Sequence, residues 1–120
     1  MAKMSEGIYR YRATVTDVYD GDTVTMSVDC GFGIVLAKQK VRLLGIDARE
    51  LRGDQREDGI KARDALRGKV LGKVVTLETV KDKKGKYGRW LGRIHVHEDG
   101  ADVDVNTWLV EQGYASWRDY

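Results

Sequence analysis

The sequence predicts a mainly β fold with helices, of the α+β class, built as one domain. Three observations carry that reading. Apolar and polar residues alternate in successive stretches, the period of half-buried strands. Two other stretches set their apolar residues on a helical stripe. The 120 residues include no Pro, so turns fall to the 14 Gly together with Asp and Asn. A chain of this size builds one core without disulfides. Residues 1–8 are expected to be a flexible N-terminal segment and residues 9–120 the single domain.

Each element has its own signal. In residues 9–16, Tyr9, Tyr11, Ala13 and Val15 alternate with Arg10, Arg12, Thr14 and Thr16, a first strand. Tyr19-Asp20-Gly21-Asp22 is a turn, and Val24, Met26 and Val28 mark a second strand. Cys30-Gly31-Phe32-Gly33 interrupts the pattern before a third extended segment over 34–46. Residues 51–59 are polar and read as a loop. From Ile60 to Leu71, Ile60, Ala62, Ala65, Leu66 and Val70 form the stripe of a helix. Val74–Val80 is a β-branched fourth strand, 81–88 a charged loop, and Arg89–Val96 a fifth strand. Val105, Trp108 and Leu109 give a short C-terminal helix, with Asp104 at its start and Gly113 as its stop. Five strands, with a helix between strands three and four and a short C-terminal helix, are the element order of an OB-type barrel, with an open α+β sheet in the same order as the alternative.

Composition removes whole classes of function. Lone Cys30 excludes an internal disulfide and a zinc site needing several thiolates. No apolar run reaches the roughly 20 residues of a membrane helix. The opening MAKMSEGIYR lacks a signal peptide's apolar segment, so a cytoplasmic protein without membrane contact is expected; a monomer is expected as well. The net charge of +2 hides an uneven layout: residues 38–73 sum to +5 and 81–93 to +5, against −2 over 1–37 and −5 over 94–120. Two basic blocks that a fold brings together suit a polyanion.

Charge gathers at three strand ends. Asp20-Gly21-Asp22-Thr23 occupies the first turn; as a calcium loop of the EF-hand kind it fails, lacking the later acids. In Arg42-Leu43-Leu44-Gly45-Ile46-Asp47-Ala48-Arg49-Glu50 an arginine sits inside an apolar strand, which is costly unless it meets an anion. Asp47 and Glu50 follow at that strand's exit. Lys83-Lys84-Gly85-Lys86-Tyr87-Gly88-Arg89 combines cations, glycines and an aromatic ring able to stack on a base.

Taken together, DGDT, RLLGIDxxE and KYGR resemble, in their order, the motifs of the staphylococcal nuclease (thermonuclease) family, over about residues 9–117. The resemblance implies an OB-fold phosphodiesterase, a calcium-dependent endonuclease cleaving DNA and RNA, single-stranded or unpaired regions preferred, with Ca²⁺ as cofactor. It makes Asp22 and Asp47 carboxylate ligands of the cation and Ala48 a main-chain ligand. Glu50 becomes the carboxylate that activates water, Arg42 and Arg89 the holders of the scissile phosphate, and Lys86 and Tyr87 contacts to a neighbouring phosphate. The chemistry suits those roles. A hard cation with oxygen ligands and two forked guanidiniums neutralise charge that grows in the transition state.

The sequence also departs from the family pattern. Ala48-Arg49 stands where Thr-Pro is usual, which frees the Glu50 loop and adds a charge beside the metal. The Cys30–Lys40 loop is longer, and the family's C-terminal helix is not among these residues. The competing reading is therefore a catalytically weak or inactive nucleic-acid-binding OB-fold module. His95 and His97 share one face of the fifth strand and read as surface residues rather than a metal pair. Trp90, Trp108 and Trp117 read as packing residues.

Overall fold

Alternation along the first thirty residues produces a hairpin, β1 (Ile8–Asp20) and β2 (Thr23–Asp29), closed by the tight turn at Gly21 and Asp22. The structure, a computed structural model, describes residues 8–84 and 88–118. Residues 1–7, most of the segment expected to be flexible, lie outside the described residues, as do Lys86 and Tyr87. The remaining elements are β3 (Val35–Leu43), β4 (Ile46–Ala48), α1 (Arg56–Val70), β5 (Val74–Lys84), β6 (Trp90–Glu98), β7 (Ala101–Asp104), α2 (Val105–Glu111) and β8 (Ala115–Trp117).

The fold is mostly β with two helices. Six strands form one sheet in the order β3-β2-β1-β5-β6-β7, and β3 pairs again with β6, in parallel, from Val41↔Trp90 to Leu43↔Gly92. Strands β3, β2, β1, β5 and β6 thus make a closed circuit of pairings. Register shifts near Val15 and Val18 bend β1, as extra residues in a strand do. Gly92 permits the last crossing: a Cβ there would stand 2.8 Å from Leu77 Cδ1 and 3.0 Å from Glu78 O. Val15, Val18, Val24, Met26, Val41, Leu43 and Ile94 fill the interior. Helix α1 adds Leu66 and Val70 to that core. No helix among the described residues is long and apolar enough to cross a membrane.

Several boundaries differ from the sequence reading: β1 runs on to Asp20, and β5 to Lys84, into the stretch read as a charged loop. The polar stretch 51–59 is not all loop, because a 3-10 turn at Gly53–Gln55 runs into α1 at Arg56. That first turn carries Glu57 and Asp58, which favour a helix N-terminus, while the apolar stripe begins only at Ile60. The segment 34–46 splits at Leu44-Gly45, where Gly45 has φ +82°, and β4 leaves the sheet to pair with β8. Asp99 and Gly100, at φ +51° and +79°, turn β6 back as β7, a strand absent from the sequence reading. Asp104 caps α2 as expected, its Oδ1 accepting the Thr107 amide at 3.2 Å. Lys69 ties α1 to β6 by donating to Glu98 Oε1 at 2.7 Å, which holds the Glu98 carboxyl below its ordinary range.

One polar side chain locks α2 onto the sheet. Asn106 is fully buried; its Nδ2 donates to Leu44 O at 2.9 Å and Gly92 O at 3.2 Å, and its Oδ1 accepts the Ile94 amide at 3.3 Å. Removing it strands buried polar groups on two elements. Asn106→Ala is therefore expected to cost about 2–4 kcal/mol, read as a lower midpoint in urea unfolding. A loss under about 0.5 kcal/mol would mean that Asn106 is not the anchor.

Candidate active site

The β1–β2 turn is built to present Asp22 inward. The Asp22 amide donates back to Asp20 Oδ1 at 3.1 Å, a local bond that fixes the turn. Its carbonyl accepts the Leu43 amide at 2.8 Å. The side chain, buried at 7% exposure, then accepts from the Ala48 amide at 2.8 Å through Oδ2 and from the Thr23 hydroxyl at 3.3 Å through Oδ1.

Arg42 closes the cluster from β3. Its neighbours Val41 and Leu43 point into the core, so Arg42 faces the turn, also at 7% exposure. Nη1 donates to Leu43 O at 3.0 Å and Ile46 O at 2.9 Å. Nη2 lies 3.0 Å from Asp47 Oδ1 and 3.3 Å from Asp22 Oδ2, so two carboxylates share one guanidinium nitrogen. Arg118, carried back by β8, reaches Asp47 Oδ1 at 3.5 Å. Burial, and then the charge of Asp20, push the Asp22 carboxyl up to about 6, against the opposing pull of the Ala48 amide and Arg42. Burial is the larger cause, so the charged form of Asp22 is held in place mainly by the bonds from Ala48 and Arg42.

Arg89 arrives from the start of β6, its Nη1 donating to Thr23 Oγ1 at 3.4 Å, and so meets the same turn. Glu50 is more open. Its amide donates to Gln55 Oε1 at 3.1 Å, while its carboxylate, 63% exposed, stands 3.7 Å from Arg52 Nε. It lines a depression of about 300 Å³ with Tyr19, Asp20, Leu51 and Arg52. The structure thus gathers Asp22, Arg42, Asp47 and Ala48 into one bonded cluster, links Arg89 through Thr23, and sets Glu50 beside Asp20.

Some participants escaped the sequence reading. Asp20 lies within a motif without an assigned role, although its place two residues before Asp22, at the entry to the turn, is a signal for two adjoining carboxylates. Arg118 carried no signal, since only β8 returns it to Asp47. Among the described residues no group of three Asp, Glu, His or Cys side chains forms a ready metal cage. His95 and His97 take separate partners, Glu78 at 3.5 Å and Asp102 at 3.4 Å.

A small, mostly β domain with paired acids and two arginines around one turn is the class of protein that these observations define. The sequence model of the staphylococcal nuclease homologues matches residues 40–120, which include every motif residue above except those of the first turn. The chain belongs to that family. An uncharacterized protein of Methanocaldococcus jannaschii is 27% identical over 126 aligned residues, covering 88% of this chain. The chain spans 58% of the length of that relative.

The Glu50 loop rests on a glycine. A Cβ on Gly59 of α1 would stand 2.0 Å from Glu50 O and 2.5 Å from Glu50 C, both backbone atoms. Gly59→Ala is expected to cost about 1–3 kcal/mol in urea unfolding, because neither helix nor loop has room to give. A Cβ on Gly68, in the same helix, would have nothing within 4 Å. Gly68→Ala should then raise stability by about 0.5–1 kcal/mol, the helical gain of alanine. Equal effects at the two positions would remove the contact with Glu50 as the cause.

Proposed function

We propose that this domain is a calcium-dependent endonuclease that hydrolyses phosphodiester bonds of DNA and RNA with little preference between the sugars. The observation that carries the proposal is Arg42, a buried guanidinium shared between Asp22 and Asp47. The closed circuit of five strands supports an OB-fold barrel as the platform, and family membership supports a nucleic-acid substrate.

The donor set suits a hard cation. Asp22 and Asp47 already converge on one cationic nitrogen, and their ligand atoms are all oxygens, the donors a hard divalent ion prefers. Asp22 and Asp47, with the Ala48 carbonyl, would hold it. When bound, calcium supplies Lewis-acid stabilisation of the phosphate oxygens. Arg42 and Arg89 bracket the turn and hold the scissile phosphate with forked hydrogen bonds, strengthened as charge gathers on its oxygens. Glu50 takes or orients the proton of the attacking water from the neighbouring depression. Lys86 and Tyr87 contact a neighbouring phosphate in this reading.

A second reading, a weakly active or inactive nucleic-acid-binding module, draws on the exposure of Glu50 and its 3.7 Å approach to Arg52. Glu50→Gln separates the two. In the nuclease it should lower calcium-dependent single-turnover cleavage by at least about 10²-fold while oligonucleotide binding holds or tightens. Wild type and mutant cleaving equally well would remove Glu50 from catalysis. Plasmid left intact by the wild type with calcium would favour the binding module.

Acid should weaken the cation site. Asp22 is raised from 3.8 to about 6, so in the metal-free fold this group favours folding most below pH 3.8, and that contribution is lost as pH rises through about 6. Calcium must displace the Asp22 proton below that pH. Its affinity is expected to fall as pH drops through 6, with proton release measurable by calorimetry in two buffers of different ionisation enthalpy. An affinity flat from about pH 5 to 8 would exclude Asp22 as a ligand.

A further inference from the structure

Arg49, which stands where the family pattern has proline, faces away from the cluster just described. Glu50 lines the depression with Asp20, whereas Arg49 lines a second one of about 190 Å³ with Asp58, Lys61, Gly113 and Tyr114. Arg49 and Glu50 are consecutive residues, so one stretch of loop lines both depressions, and the residue before Arg49 is tied to Asp22 by its amide. Arg49 and Lys61 are exposed and make no hydrogen bond or ion pair with any described residue, Asp58 included. Two cations against one acid leave this depression at +1. Tyr114 is half-buried and held in place, its amide donating to Leu109 O at 2.9 Å and its ring 6.1 Å from that of Trp108. Gly113 contributes no side chain and has open space beside it.

We infer that this second depression is a subsite for a nucleotide of single-stranded nucleic acid that flanks the cleaved bond. Arg49 and Lys61 contact its phosphate, and Tyr114 offers a fixed ring to its base. Cations freed from protein partners and an aromatic ring beside them are the pairing that single-strand sites use. The inference rests on the nucleic-acid reading above and deepens it, since it makes Arg49 a residue that selects chains over mononucleotides.

The test uses the full chain, an eight-residue phosphorothioate oligothymidylate that resists cleavage, and thymidine 5′-monophosphate, all with calcium. Arg49→Ala and Lys61→Ala should each weaken oligonucleotide binding about fivefold, and each should flatten its log affinity against log salt by roughly 0.7. Tyr114→Leu should weaken it about tenfold without changing that slope. Mononucleotide affinity should stay within about twofold in all three. Arg12→Ala, on the outer face of β1, controls for a general loss of positive charge, and circular dichroism confirms folding. Variants that bind the oligonucleotide like wild type, or lose no more than Arg12→Ala loses, overturn the subsite. If the expected losses appear but wild type leaves an ordinary oligonucleotide uncut, the subsite stands and the nuclease reading falls. A wild type that binds no oligonucleotide overturns both.

Discussion

A buried guanidinium organises everything at this end of the molecule. Leaving water costs an arginine several kcal/mol unless each of its donors finds an acceptor. Arg42 meets that condition by drawing on three pieces of chain: the first turn through Asp22, its own strand through Leu43 O, and the following segment through Ile46 O and Asp47. The pairing of Thr23 with Arg42 fixes its height on the sheet. The parallel pairing of Arg42 with Leu91 then places β6, and Arg89 just before it, against the same turn. Ring closure and site assembly are therefore one event, because the strand that closes the circuit is the strand that carries the arginine.

Close packing holds the loop in the absence of proline. A Cβ on Gly21 would stand 2.7 Å from the Ala48 Cβ and 2.8 Å from the Ala62 Cβ, so turn, loop and helix meet through three of the smallest residues. Ala48 is held further by its ladder position opposite Ala115 and by its amide bond to Asp22. The sequence suggested a loop freed by the loss of Thr-Pro. The backbone is instead anchored at Ala48 and again where Gly59 abuts Glu50, and the freedom left belongs to the Glu50 side chain. Restraint has moved from a ring in the backbone to contacts between layers.

Periodicity made the five long strands, the stripe of α1 and the capped α2 legible, because each is a local pattern of burial. Three short strands were not. β7 has a local signal only in Asp99-Gly100, a dipeptide that favours tight hairpins. β4 and β8 have three residues each, too few for a period, and exist only because distant segments meet. The site follows the same division. Asp22, Arg42, Asp47, Ala48, Glu50 and Arg89 were named from motifs, and the structure brings five of them into one linked cluster. Arg118 on Asp47 and Gly59 under Glu50 depend on tertiary contacts that no spacing encodes.

Charge balance at this centre bears on how an anionic chain would approach it. Asp20, Asp22, Asp47 and Glu50 supply four negative charges, and Arg42, Arg52, Arg89 and Arg118 supply four positive ones. A centre so balanced exerts little long-range pull on a phosphodiester, however well its guanidiniums bind one at short range. A divalent cation between Asp22 and Asp47 would tip the balance to +2, and it would loosen Arg42 from those carboxylates toward a phosphate. The proposed metal and the proposed substrate contact are in that sense a single requirement. Arg118 is the only Lys or Arg in the otherwise acidic stretch 94–120, and it lies on Asp47. It offsets part of the charge on Asp47, and in the proposed reading it would weaken the hold on a cation there. What attracts the chain from a distance then falls to positive charge outside the balanced group, such as Arg49 in the adjoining loop and Lys61 on α1, which line one depression.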